Sequence, residues 1–406
     1  MKKYLFLALG VAALTSCSSD EVTELNQGNE IKFSVVADND SRAADVWCNN
    51  NLMPNFLLYA DAKSAQDTYK AFINEETYTR SGVTTDYNAP NGITRYWPEN
   101  DALNFYAIYG IDAANMSWSA GYGPISSAYT VNSNVQSQVD IVYAIKPNKK
   151  KTDADVVDGK VALNFRHALS QIEFMAKNMN PDELRIEILD VRVGNVNSVG
   201  TLTLPTEEST DQNVQNHPTD NGIAFAPQAN LWSNLGTLAN FDVTETLFGS
   251  PKTLTAEAQS LTISTDADTQ GDAKNNSMLL LPQTQTAWDG DAGAFLAVKC
   301  NIYNKVTVDG SVVEVLLYGD KNNDGVEEGR WAYVPADINW EPGYKYVYTF
   351  SFADGTNAGF DDSGDEGKPS NTPVLVKLNV SVTVDDFEPK DPTNTPMEVE
   401  PFDLNP

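Results

Sequence analysis

Histidine and cysteine are scarce in this 406-residue chain: two histidines, His167 and His217, and three cysteines, Cys17, Cys48 and Cys300. So few imidazoles exclude a His-rich metal centre and leave little for a His-dependent nucleophile. The chain also lacks a Gly-x-Ser-x-Gly elbow, a His-Glu-x-x-His pair, a Cys-x-x-Cys and a Gly-x-x-x-x-Gly-Lys phosphate loop. With 56 acidic side chains, pairs of carboxylates are everywhere and single out no site. The expectation is a protein that is not an enzyme and carries no cofactor.

Basic residues are scarce too. Against those 56 acids stand 27 lysines and arginines, a formal net charge of -29. Such a surface repels nucleic-acid phosphates and anionic membranes, so neither is an expected partner. The one basic run, Lys149-Lys150-Lys151, is flanked by Asp153 and Asp155 and reads as a solvated loop.

Long apolar runs are missing, and the one moderate run lies at the start. Lys2 and Lys3 precede "YLFLALGVAAL", which is too short to span a bilayer but has the length of a signal-peptide core. It ends in Leu14-Thr15-Ser16-Cys17, which resembles the bacterial lipobox. On that reading Cys17 is lipidated and becomes the first mature residue, holding the protein on a membrane through acyl chains at roughly 0.8 kcal/mol per buried methylene. The acidic "SSDE" that follows resembles the signal sending lipoproteins of some Gram-negative anaerobes to the outer face of the outer membrane. Cys48 and Cys300 are expected to be unpaired, with a disulfide between them the alternative open to an exported protein.

What the chain has in abundance is period-two alternation. "EIKFSVVA", "NFLLYA", "ALNFYAIYG", "QVDIVYAI", "LRIEILDVRVGNV", "SVGTLTL", "GAFLAVKCNIYN", "YKYVYTFSF" and "PVLVKLNVSVTV" are short runs rich in β-branched and aromatic residues, punctuated by Gly, Pro, Asn and Asp. That is the signature of an all-β fold, a sandwich or barrel. Helix is expected only in short pieces, at 61–72 and in parts of 226–262. The polar stretch 204–222 suggests a boundary, and 353–372 a long loop. The division expected is a signal peptide at 1–16, a lipidated tether at 17–29, β domains at 30–205 and 206–384, and an acidic, proline-rich tail at 385–406 or a donor segment there.

Several of these pieces, in order, resemble the fimbrillin family, type V pilus subunits and related lipoproteins of Gram-negative anaerobes. They are the lipobox, "IKFSVV" followed by "DSRA", "TRYWPENDALNFYAIYG", "VALNFRHALSQIEF", "LRIEILDVRVGNVNSVGTLTL", "LLLPQ" at 279–283 and "YVPADINWEPGYKYVYTFSF". The resemblance implies two tandem β-sandwich domains of transthyretin-like Greek-key topology. It also implies a cell-surface adhesive role and assembly by strand exchange with other fimbrial subunits or further copies. In that scheme a protease cuts after the first strand, here at Arg42, and a neighbour's C-terminal strand fills the vacated groove. The donor candidate is the terminal strand, with Val374, Val376, Leu378, Val380, Val382 and Val384 on one face, each worth roughly 1.5–3 kcal/mol when buried. The same strand can equally be read as the last core strand of its own sandwich, and then the tail segment "MEVEPFDL" becomes the donor. The alternative to a filament subunit is a monomeric outer-membrane lipoprotein that captures glycan or host protein.

Two further residues groups have competing readings. His167, inside an apolar run, is expected to be a hydrogen-bonded structural residue. "DKNNDG" places Asp320, Asn322 and Asp324 at the first three ligand positions of a calcium loop, but Trp331 stands where the closing glutamate belongs, and a hairpin turn explains the same residues.

Overall fold

A computed structural model describes residues 29–35, 53–207 and 231–386, apart from 83, 250, 268–272, 322–324, 326, 355–357 and 363–366. The all-β expectation holds. The described residues form sheets of nine and thirteen strands, three two-stranded sheets, three 3-10 turns and one α-helix, Glu245–Phe248. That helix falls within the 226–262 window. The other helical expectation is corrected: residues 61–72 belong to strands Asn55–Lys63 and Tyr69–Arg80 and the turn joining them. Ser64 decides this locally, because its hydroxyl accepts from the backbone N–H of Gln66 and Thr68 and closes the turn.

The nine-stranded sheet runs in the order Val156–Val157, Lys160–Leu163, Lys32–Val35, Asp86–Asn88, Tyr69–Arg80, Asn55–Lys63, Ala102–Tyr109, Val142–Lys149, Arg166–His167. It is rolled rather than flat. Phe33 and Phe105 lie four strands apart in that order, roughly 19 Å at ordinary strand spacing, yet their ring centroids are 5.3 Å apart. Inside the roll sits a core of Phe33, Phe56, Leu58, Tyr78, Phe105 and Ala107, all buried.

The opposite face of the same sheet is covered as well. Leu57, Tyr59, Tyr106, Ile108 and Tyr143 join a larger core with Ile172, Phe174, Ile186, Val191 and Phe350. This two-sided burial explains why "NFLLYADAK" and "ALNFYAIY" are almost continuously apolar, since a strand covered on both faces loses the inside–outside alternation.

The larger sheet runs Trp232–Thr244, Leu184–Leu202, Phe295–Val308, Arg330–Pro335, Ala358–Asp362, Pro369–Asp386, Tyr344–Phe352, Ser170–Asn178, Gln259–Ser260. Its spine is Leu184–Leu202, which the sequence suggested as two strands and which runs as one. Irregular register near 193–196 explains the interrupted pattern: Asn195 adopts φ 59°, a left-handed conformation that asparagine tolerates, and its amide donates to the Gly293 carbonyl at 2.6 Å. Apart from the short strand Tyr129–Thr130, which pairs with Leu184–Leu202, the chain changes sheet between His167 and Ser170, ahead of the polar stretch at 204–222 that suggested a boundary. Strands 170–178 and 184–202 alternate as edge-exposed and core strands alike do, so periodicity alone could not assign them to a sheet.

Candidate assembly site

The first strand, Lys32–Val35, has four residues and two partners. It runs parallel to Lys160–Leu163 on one side and antiparallel to Asp86–Asn88 on the other. Its side chains alternate outward at Lys32 and inward at Phe33 and Val35. Phe33 is the anchor, meeting Tyr78 edge-on at 4.9 Å and Phe105 at 5.3 Å. Backbone hydrogen bonds from Ile31 to Arg95, Lys32 to Gly159 and Val35 to Thr85 complete its attachment.

The aromatic-Trp-Pro motif holds the entry to this strand. Glu30 bridges Tyr96, and the Trp97 N–H donates to Asn29 at 2.9 Å. The Trp97 indole donates to the Gly159 carbonyl at 3.3 Å and packs edge-on against Phe105. Gly159 is required where it stands: a Cβ there would lie 2.2 Å from the Glu30 carbonyl oxygen, and its φ is +74°. Take away Lys32–Val35, and a groove one strand wide is left between Asp86–Asn88 and Lys160–Leu163, floored by Tyr78 and Phe105.

The terminal strand, Pro369–Asp386, presents the complementary feature. Its residues 369–377 pair with Ala358–Asp362, and its residues 378–386 with Tyr344–Phe352. Each stretch therefore has one ladder partner and one edge with no strand among the described residues. Leu378 is buried, Val380 and Val382 pack half-buried on the larger core, and Val384 is 49% exposed. Lys377, Ser381 and Thr383 face solvent, as the alternation requires. The side chains of Val374 and Val376 lie outside what is described.

The Leu-Pro-Gln and Trp-x-Pro-Gly motifs meet in space. Gln283 and Trp340 exchange backbone hydrogen bonds at 3.1 and 2.9 Å. The Gln283 amide accepts from the Asn197 N–H and donates to the Asn197 and Leu281 carbonyls, closing the irregular part of the long strand. The Trp340 indole donates to the Tyr348 hydroxyl, and the Tyr346 hydroxyl accepts from the Glu341 N–H. Gly343, at φ +78°, donates to the Leu169 carbonyl, and Ser170 donates to Glu341. These motifs pin the point where the chain passes from one sheet to the other. His167 belongs to the same junction: its Nδ1 is hydrogen-bonded to the buried Asp140 carboxylate at 2.7 Å, a structural role as expected.

Residues 41–363 match the family model described as fimbrillin-like. The chain belongs to the fimbrillin-like family. Among solved structures it is similar to a fimbrial protein from Bacteroides vulgatus, with 14% identity and a TM-score of 0.52, over 88% of this chain and 99% of that one. It is also similar to the tip fimbrial protein Mfa3 from Porphyromonas gingivalis, with 8% identity and a TM-score of 0.35, over 87% and 99% of the two chains. No curated protein matches.

In this fimbrillin-like chain, Cys17, Arg42 and Cys48 lie outside the described residues, as do Asn322 and Asp324. Among the described residues no cluster of three or more histidines, cysteines or carboxylates is placed to hold a metal ion. Asp320 stands just before the bridge between Lys321 and Glu327, its carbonyl accepting from the Glu328 N–H, and the Lys321 side chain pairs with Glu327. The Glu327 carboxylate is held below its usual range, first by the Tyr303 hydroxyl and then by Lys321. Cys300 is fully buried and unpaired, and burial pushes its thiol up. Sequence reasoning missed Gly159, Gln138 and Asp61, which fix loops through backbone contacts. Gln138, for example, accepts from Leu279 N–H at 2.7 Å across the two halves, and no local pattern signals such a contact.

Proposed function

We propose that the protein is a non-enzymatic subunit of a cell-surface fimbria, acting in adhesion and assembled by β-strand exchange. The observation that carries the reading is the first strand: four residues between two partners, its single aromatic anchor filling a core that the rest of the sheet already encloses. Departure of so short a segment breaks few hydrogen bonds but opens an edge on both sides and an apolar floor. A strand entering there regains main-chain pairing on both edges together with a pocket for an alternate side chain, the strand-addition mode of recognition.

The other parts of the scheme follow from the sequence. The lipobox cysteine Cys17 anchors the precursor in the outer membrane, and Arg42 lies seven residues beyond Val35, where cleavage would separate anchor and first strand from the body. The terminal strand, with one edge unpartnered along each half among the described residues and Val384 exposed, supports a donor role for Val374 to Val384, and the partners are other fimbrial subunits or further copies. The architecture is read as two tandem transthyretin-like sandwiches.

The test is a ladder assay on cell-surface extracts, run without boiling in detergent. Wild-type protein should give a series of detergent-resistant oligomers, and Arg42→Ala should give a single lipidated band. A ladder unchanged by Arg42→Ala would overturn cleavage-dependent assembly.

A further inference from the structure

The outer face of the first strand carries a feature that its inner face does not explain. Lys160 and Asp86 stand on the two strands that flank it, Lys160 level with Lys32 and Asp86 level with Ser34. Those flanking strands lie about 9.5 Å apart at ordinary sheet spacing, yet the Lys160 ammonium donates to the Asp86 carboxylate at 2.7 Å. Their neighbours Val161 and Tyr87 are buried, so by alternation both charged side chains point away from the core. They therefore meet across the outside of the first strand and clasp it. Ser34 points outward as well, but it is half-buried where Lys32 is exposed.

With their side chains 38 and 47% exposed, the two partners add little to stability as an ion pair. Their effect is on what fits beneath them. A side chain at the place of Ser34 must be small, because the lysine stem crosses over it. It must also be uncharged, because an acid there would set two carboxylates against one ammonium. The first strand itself is not an ideal occupant. Lys32 stands beside Lys160 on the same face, a like-charge pair, and its own partner Glu30 is 3.8 Å away.

Given strand exchange at this groove, we infer that Lys160 and Asp86 determine its specificity, selecting an incoming strand with a small, uncharged residue between two inward apolar ones. The terminal strand carries that pattern. Set in the same direction, Leu378-Asn379-Val380-Ser381-Val382 falls on Ile31-Lys32-Phe33-Ser34-Val35. Apolar residues then enter where Ile31, Phe33 and Val35 are buried, and Asn379 removes the like charge beside Lys160. Of the strand's outward residues Lys377, Asn379, Ser381 and Thr383, the smallest, Ser381, lies under the clasp. The tail segment "MEVEPFDL" fails the same test. Met397, Val399 and Phe402 are each followed by an acid, Glu398, Glu400 and Asp403, so whichever takes the Phe33 site brings a carboxylate to Asp86. Pro401 also lacks the N–H that a strand paired on both edges must supply. The clasp thus distinguishes the two donor candidates within one chain.

Competition measured by fluorescence anisotropy tests this on the full-length Phe33→Ala protein, or on Val35→Ala if the first substitution unfolds the chain. Labelled EIKFSVVA is the probe. Unlabelled KLNVSVTVDD, residues 377–386, should displace it, and MEVEPFDL, residues 397–404, should not. Ser381→Phe in the first peptide should weaken displacement by at least about tenfold, and by under about threefold once the protein also carries Lys160→Ala. An ion pair with a merely structural role would not couple to the peptide residue in this way. If the probe itself does not bind, strand exchange and the clasp fall together. If the probe binds, two results overturn the clasp alone and leave strand exchange standing. One is an equal cost of Ser381→Phe with and without Lys160, and the other is displacement by the tail peptide as strong as by KLNVSVTVDD.

Discussion

Phe33→Ala is the substitution that probes the first strand most sharply. The side chain is 1% exposed and meets two rings edge-on, Tyr78 and Phe105. Emptying a buried phenylalanine site costs about 3–5 kcal/mol, of which each aromatic pair supplies about 0.5–1.5 kcal/mol beyond its area. The upper half of that range is expected, because the strand has no other aromatic anchor and only the smaller Ile31 and Val35 then seat it. Urea unfolding followed by tryptophan fluorescence measures the loss, with Trp97 reporting from the same core. Adding the peptide EIKFSVVA to Phe33→Ala protein should recover stability as a ligand does, about 2.7 kcal/mol at a hundredfold excess over its dissociation constant. The same peptide with alanine for phenylalanine should recover far less. A loss below about 1 kcal/mol, or equal rescue by both peptides, would show that Phe33 does not seat the strand.

Three more outcomes can be checked on the purified protein. Gly123→Ala places a Cβ 1.6 Å from the Leu204 carbonyl oxygen and should cost about 3 kcal/mol or more, whereas Gly236→Ala, with open space, should stay within about 0.5 kcal/mol; matching melting points for the two would contradict this. Burial raises the Asp61 carboxyl above its ordinary 3.8, against the lowering hydrogen bonds from Gly121 and Asn104. The folded state therefore binds the proton more tightly, and the stability this group contributes is present below pH 3.8 and lost as pH rises through the folded value. Asp61→Asn cannot titrate, so its stability should fall less than wild type across that window, and parallel pH profiles would refute the assignment. Cys300, buried with its thiol pushed up, should resist alkylation in the native protein and react once urea unfolds it; mass-spectrometric labelling of Cys300 under native conditions would contradict its placement.

The β class was legible because period-two runs such as "KFSV" and "SQIEFMAKN" carry their faces in the order of their residues. The rolled first sheet was less so. A flat and a rolled sheet share the same alternation, and only the contact between Phe33 and Phe105, four strands apart, distinguishes them. The change of sheet after His167 was hidden for a related reason: Ser170–Asn178 pairs parallel with Tyr344–Phe352, about 170 residues away, and no local signal encodes a partner so distant. Motifs resembling the fimbrillin family were visible as turn chemistry. Their joint work at the junction, where Gln283 meets Trp340 and Gly343 meets Leu169, needed the fold. The exposure of Val312, Val313, Val315 and Leu317 on strand Ser311–Tyr318 was not legible, because "VVEVLL" looks like any core strand until its neighbours are known.

The central claim is that the first strand leaves and a neighbour's strand takes its place. It is tested most directly by the N-terminal sequence and intact mass of the protein recovered from surface filaments. The account predicts a polymerised chain that begins at Ala43 and has lost the lipid and residues 30–37. Filaments built from chains that still carry Phe33 would contradict it.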